Sequence, residues 1–338
     1  MIISGTPQRP RKLEDLIDSR LLARLDRLDV RSRKLFPGKL QGERRSKRRG
    51  QSVEFDDYRN YVPGDDLRHI DWNVYARFDR LFIKLFLEEE DLALHVALDA
   101  SASMEAGATA PLPGGGAPQP SKLVFASRLA MALCYIGLVN QNRVGLTVFG
   151  APGMEAIRRL PDTRGRHQVQ RLGQFLIDSV WGAREGGVAT GGQPAPAADF
   201  NNALTTIARM RVGKGVMVVL SDFFIPDGYK PGLKALAAAG GYDTYCVQVL
   251  APGEIEPERA GDGALAGDLR LTDIETGRAA EVTVTAPLIK QYKQRLDRYC
   301  DDLHTFCAAR AMAHVPARAD ADIETLLLET FRRRGMLA

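Results

Sequence analysis

Residues 92–103 read Leu92-Ala93-Leu94-His95-Val96-Ala97-Leu98-Asp99-Ala100-Ser101-Ala102-Ser103. An apolar run broken only by His95, followed at once by D-x-S-x-S, describes a strand buried on both faces that ends in a loop of oxygen-bearing side chains. Such a strand needs helices above and below it. Downstream, Ser121 caps an amphipathic helix expected over 121–142. The alternation then continues with a strand at 144–149, helices at 168–178 and 199–210, a continuous apolar strand at 215–220, a short helix at 231–239 and a strand at 242–250. Apolar strands separated by helices predict an α/β fold: a doubly wound, mostly parallel sheet with helices on both faces. A β-hairpin insertion is expected at 261–286, its strands at 269–273 and 281–285 flanking Glu275-Thr276-Gly277-Arg278, and long helices over 287–313 and 322–334 close the chain. Gly/Pro/Ala-rich stretches at 106–120 and 182–197 read as surface loops.

Upstream of the first core strand, Leu13, Leu16, Ile17, Leu21, Leu25 and Leu28 have helical spacing, so one helix is expected over 13–30, and 81–87 reads as a strand. Between them the charge is uneven. Residues 31–50 hold nine basic residues and one acid, whereas 51–90 hold ten acids against five bases. The expected division is therefore 1–90, an N-terminal helix, basic arm and charged segment packed on the core, and 91–338, the α/β domain.

Over all 338 residues, 46 Lys and Arg oppose 42 Asp and Glu, too even a balance to imply a nucleic-acid binder. The longest mainly apolar stretch, 129–139, is 11 residues, so no membrane span is expected. The N-terminus lacks the apolar core of a secretory signal. Cys134, Cys246, Cys300 and Cys307 form no C-x-x-C pair and read as free thiols of a cytoplasmic protein.

The chemistry-bearing residues gather at two predicted strand ends. The first strand delivers Asp99, Ser101 and Ser103, and strand 215–220 delivers Ser221 and Asp222. In open α/β sheets ligands sit outside the carboxyl ends of strands, where strand order reverses. Two carboxylates and two hydroxyls make a hard oxygen set that suits Mg²⁺, with Ca²⁺ or Mn²⁺ behind it. The competing reading is that Asp99 and Ser101 only cap the following turn. The pattern resembles the metal-ion-dependent adhesion site of von Willebrand factor type A domains, which implies a metal at Asp99, Ser101, Ser103 and Asp222. It departs from that family in the middle, where the usual Thr is replaced by Ala198 ahead of Asp199-Phe200-Asn201-Asn202-Ala203-Leu204. Either Asp199 substitutes, or the site is weakened or empty.

A second pattern lies between the basic arm and the first core strand: Gly64-Asp65-Asp66-Leu67-Arg68-His69-Ile70-Asp71-Trp72, with Glu54, Tyr58, Arg59 and Tyr61 before it and Ala76-Arg77 and Leu81-Phe82-Ile83-Lys84 after it. It resembles the hallmark of the bacterial family called domain of unknown function 58. That resemblance runs from about residue 36 to the C-terminus. It implies a von Willebrand A-like domain and a working partnership with ATPases of the MoxR branch of the AAA+ class. Read as residues, Arg59, Arg68 and Arg77 are able to pair bidentately with Glu54, Asp65, Asp66 or Asp71, while Trp72 and the tyrosines supply apolar bodies. The segment is then either an internal ion-pair network or a docking surface.

Three functions follow. The first is a non-enzymatic adaptor that joins a MoxR-type ATPase to an unknown protein client. The second is a metal-dependent phosphohydrolase using Asp99, which lacks the second Asp expected at position 101. The third is nucleic-acid binding through the basic arm, weakened by the scarcity of aromatics there. No P-loop, G-x-S-x-G elbow or H-E-x-x-H occurs, and the five His residues are dispersed. The sequence favours the adaptor.

Overall fold

The structure is a computed structural model that describes residues 9–32, 54–65, 67–87, 92–108, 119–153, 157–182, 199–210, 214–259, 267–272 and 279–337. The chain forms two compact units, a large one comprising Met1–Lys34 with Leu92–Ala338 and a small one comprising Leu35–Asp91. The N-terminal residues thus group with the α/β core.

Where one helix is expected over 13–30 there are two short ones, α1 (Leu13–Leu16) and α2 (Ser19–Leu25). Asp18 causes the break: its side chain accepts from the Leu21 N–H at 2.7 Å and caps the second helix. Leu16 and Leu25 are buried in the core of the large unit.

The small unit holds β1 (Glu54–Asn60), helix α3 (Trp72–Phe78) and β2 (Phe82–Leu87). The two strands pair antiparallel with a register shift between Phe55 and Asp57.

The central sheet begins with β3 (Ala93–Asp99), buried at every position. Helix α4 (Lys122–Val139) carries the chain over to β4 (Arg143–Phe149). An unexpected strand follows, β5 (Ile157–Thr163), antiparallel to β4, and then α5 (Val169–Val180). Next come α6 (Phe200–Met210), β6 (Gly215–Ser221), α7 (Lys230–Ala238), β7 (Tyr242–Leu250) and the single turn α8 (Pro252–Ile255). The expected hairpin is present as β8 (Gly267–Thr272) against β9 (Ala279–Val284); residues 275–278 of its turn lie outside the described residues. Helix α9 (Ala286–Ala308) ends five residues before the expected point, because 313–318 form another strand, β10 (Ala313–Arg318). The last helical stretch runs from Ile323 through a wide turn at Leu326–Phe331.

The six-stranded sheet has the order β10-β7-β6-β3-β4-β5, parallel except for β5. The chain builds outward from β3 through β4 to β5, then returns to the other side of β3 and builds outward again through β6, β7 and β10. Strand order therefore reverses between β3 and β6. Side chains alternate across the strands. Leu94, Val96, Leu98, Val216, Val218 and Leu220 pack with α4, α5 and the C-terminal stretch, while Ala93, Ala97, Met217 and Val219 pack with α6, α7 and α9. Each fully buried aliphatic side chain contributes roughly 1.5–3 kcal/mol.

The 11-residue limit placed on apolar stretches is corrected by α4. Its 18 residues, Lys122–Val139, are long and apolar enough to cross a membrane, and 89% of them are buried inside the protein. The shorter stretch starts after Arg128, which lies inside this helix, half-buried, with its Nε 3.4 Å from the Leu16 carbonyl oxygen.

Candidate functional site

Asp99 closes β3 and Asp222 directly follows β6, so adjacency of those parallel strands brings their side chains to one rim. Leu98 pairs with Leu220, which sets Asp99 beside Ser221. Asp99 is 2% exposed. The Ser101 N–H donates to its Oδ1 at 2.9 Å, and the Ser221 hydroxyl donates to its Oδ2 at 2.7 Å. Burial, with the Asp222 charge nearby, pushes the Asp99 carboxyl up to about 6. Ser101 is half-buried, and its Oγ lies 3.1 Å from that of Ser103 on the short turn Ala102–Glu105. Gly150, at φ +75°, closes the rim from the end of β4. A Cβ there would lie 3.0 Å from Asp99 Oδ1 and 3.2 Å from the Ser101 nitrogen.

Asp222 is wholly buried. Its Oδ1 accepts from the Phe224 N–H at 3.0 Å, and its Oδ2 meets the Lys122 ammonium at 2.7 Å. The same ammonium lies 2.6 Å from Glu254 Oε1 and 5.5 Å from the centre of the Phe224 ring. Glu254 Oε2 in turn accepts from the Ala251 N–H at 2.8 Å, which ties the end of β7 to the group. Burial alone would lower the Lys122 pKa, but the Asp222 and Glu254 carboxylates overcome it and hold the amine above its usual value, fully charged. Between Asp222 and Phe224, Phe223 adopts a left-handed backbone, φ +59°, a conformation bulky residues avoid. The Ser221 Oγ holds its N–H and the Tyr299 hydroxyl holds its carbonyl.

Asp99, Ser101 and Ser103 lie together at the end of β3, Asp222 acts on Asp99 through its charge while its oxygens turn to Lys122 and Phe224, and Asp199 does not join them. It is exposed, and its Oδ1 accepts from the Asn201 N–H at the start of its own helix; Ala198 lies outside the described residues. The arrangement does not fit the divalent metal that the adhesion-site resemblance implies. Asp222 is taken by an ammonium and a backbone N–H, Asp99 is bonded at both oxygens from within, and among the described residues no three His, Cys, Asp or Glu groups are placed to hold a metal together. Sequence reasoning missed Lys122 and Glu254. The available signal was Lys122 itself, one of two charged residues in an 18-residue apolar helix.

In the small unit, Arg59 grips Asp65 bidentately, both contacts at 2.8 Å, while Asp65 also accepts from the Val62 N–H. Asp71 caps α3 through the Asn73 and Val74 N–H groups. It also meets Lys84 at 2.9 Å and the Tyr58 hydroxyl at 2.9 Å. Lys84 first, then the Tyr58 hydroxyl and the two N–H groups, hold its carboxyl down to about 2 against the effect of burial. Its partner is thus a lysine, where the sequence suggested an arginine. Trp72 is 61% exposed and meets Tyr75 edge-on; Arg68 and Arg77 are exposed as well. Glu54 opens β1, while its side chain, Asp66 and residues 33–49 of the basic run lie outside the described residues.

A family model described as "Protein of unknown function DUF58" matches residues 57–299, from the Arg59–Asp65 clamp through the rim to α9. The chain belongs to the DUF58 family. Among curated proteins, this DUF58 chain is 26% identical over 327 residues to the uncharacterized proteins Mb1516 of Mycobacterium bovis and Rv1480 of Mycobacterium tuberculosis, covering 96% of this chain and 93% of each relative. Two solved structures are more distant. One is the conserved hypothetical protein BatB of Bacteroides thetaiotaomicron, 18% identical, covering 72% of this chain and 98% of that one, with a TM-score of 0.40. The other is an aerotolerance-related membrane protein of Bacteroides fragilis, 16% identical, covering 72% and 97%, with a TM-score of 0.36. Likenesses that slight carry no argument about this chain.

Proposed function

We propose that this DUF58 chain is a non-enzymatic adaptor. Its sheet, read as a doubly wound von Willebrand A-like domain, binds partner proteins at the rim where the half-buried Ser101 stands over the buried Asp99, Ser103 and Asp222, and works with a MoxR-type AAA+ ATPase on a protein client. The observation that carries the binding reading is the inward use of both rim carboxylates. A nucleophile or general acid has to reach a substrate, whereas Asp99 is 2% exposed and bonded at both oxygens by Ser101 and Ser221. That counts against a phosphohydrolase built on Asp99. The half-buried Ser101 stands where strand order reverses, the usual ligand position in such sheets. Pairing with a MoxR-type ATPase rests on the family resemblance, and a cytoplasmic location rests on the four free cysteines.

The test is titration of a purified MoxR-type ATPase from the same genome onto the immobilised chain. Saturable binding is expected, and Ser101→Arg, which fills the rim with a bulky side chain, should weaken it by at least about tenfold, some 1.4 kcal/mol. Equal binding of wild type and variant would discard the rim as the contact. No binding at all would discard the ATPase partnership. Phosphate release from simple phosphoesters, abolished by Asp99→Asn, would discard the non-enzymatic reading.

A further inference from the structure

We propose that Lys122 is the resident cation of this rim, occupying the place between Asp222 and Glu254 that a divalent ion would otherwise take, so that the rim works without metal. The inference stands on geometry alone and holds whichever protein the rim meets.

Three observations support it. First, the Lys122 side chain has no exposure, Asp222 has none, and Glu254 is buried. A lysine buried so fully has to be paired, since an isolated ammonium in the interior would neutralise or force the structure open. Here it has two carboxylates, and both partners are completed by backbone donors, Phe224 N–H on Asp222 and Ala251 N–H on Glu254. Second, the ammonium sits at the first position of α4, where the helix dipole disfavours a cation. Propensity does not put it there; the two carboxylates do. Third, the oxygens of Asp222 and Glu254 stand 2.7 and 2.6 Å from the nitrogen, at or below the short end of charge-assisted hydrogen bonds, so one ammonium engages both carboxylates at once. The ammonium is therefore the positive centre that two buried carboxylates share. It draws three segments together, the start of α4, the end of β6 and the turn after β7, which is the mechanical work a structural ion does.

Removing the ammonium while keeping the carboxylates should expose a divalent site absent from the native protein. In the wild-type chain, about 10 mM Mg²⁺, Mn²⁺ or Ca²⁺ should move the melting temperature by less than about 1 °C, EDTA should have no effect, and titration followed by Mn²⁺ electron paramagnetic resonance should show no stoichiometric site. Lys122→Ala should melt lower than wild type and recover several degrees in about 10 mM Mn²⁺ or Ca²⁺, a recovery that K122A/D222N lacks. Two results overturn the proposal. One is saturable one-to-one Mn²⁺ binding by the wild-type chain that Asp222→Asn abolishes. The other is a folded Lys122→Ala variant with no response to divalent ions. If that variant does not fold, the wild-type titration still decides.

Discussion

Asp99 and Asp71 are both buried aspartates that accept hydrogen bonds, yet their environments pull them in opposite directions. Asp71 meets a lysine and sits at about 2; Asp99 has no cation bonded to it, lies in the interior near Asp222 and sits at about 6. The sign for Asp99 follows from linkage. Its folded pKa lies above its unfolded value, so the folded state holds the extra proton, and the associated stability is fully present below about pH 4 and lost as pH rises through about 6. Two pKa units correspond to roughly 3 kcal/mol. Asp99→Asn, neutral at every pH, should remove this dependence: chemical denaturation between pH 4 and 7 should show wild type losing about 3 kcal/mol relative to the variant. Parallel stability curves would mean that Asp99 titrates normally. For Asp71 the sign is reversed, with its contribution present above about pH 4 and lost toward pH 2. The sequence marks both carboxylates as special, but it carries no sign, because the sign depends on which charges lie nearby in space. Lys122 is 100 positions from Asp222 and 132 from Glu254, and no local spacing reports such a pairing.

Elements were legible wherever local pattern and tertiary role agree. Strands β3, β6 and β7 are buried at every position; residues 215–220 of β6 form an unbroken apolar run, while His95 interrupts β3 and Asp243, Thr244 and Gln248 interrupt β7, and α4 to α7 begin and end near their expected positions. The failures are at the sheet edges. β5 reads Ile-Arg-Arg-Leu-Pro-Asp-Thr and β10 reads Ala-His-Val-Pro-Ala-Arg. Each carries a proline and at least one charged residue, features that edge strands tolerate and that mimic a loop or a helix end in a sequence. The sheet's centre makes the opposite demand, and Gly215 shows how strict it is. A Cβ at Gly215 would come within 1.9 Å of the Ala93 carbonyl oxygen at the start of the β3–β6 pairing. The obstacle is backbone, so no side-chain rotation relieves it. Gly215→Ala should therefore cost more than about 3 kcal/mol, well beyond an ordinary surface substitution, and lower the melting temperature by about 4 °C or more, by the size scaling for a chain of this length. A loss under about 1 kcal/mol in a denaturant titration would show that β3 and β6 are not paired in this register.

At the scale of the molecule, the central helix poses a choice between two solvents. Lys122–Val139 has the length and composition of a membrane span, and 89% of it is surrounded by the protein's own side chains. Its residues from Leu123 to Leu138 face β3 and β4 on one side and α1, α2 and α5 on another, with Tyr135 bonded to Asp26 at 2.5 Å. Lys122 anchors its first turn to Asp222 and Glu254 across the sheet rim. A helix so placed cannot leave for a bilayer without dismantling the large unit, because each neighbouring element uses it to bury its own apolar face. Its amides should therefore open only when the large unit unfolds globally. Hydrogen exchange of the chain in aqueous buffer without detergent should find residues 129–136 among the slowest amides, with protection that tracks stability as denaturant is added. Fast exchange in buffer, with protection appearing only in lipid vesicles, would make this helix a membrane segment and leave β3 and β4 without the cover on which the rim geometry depends.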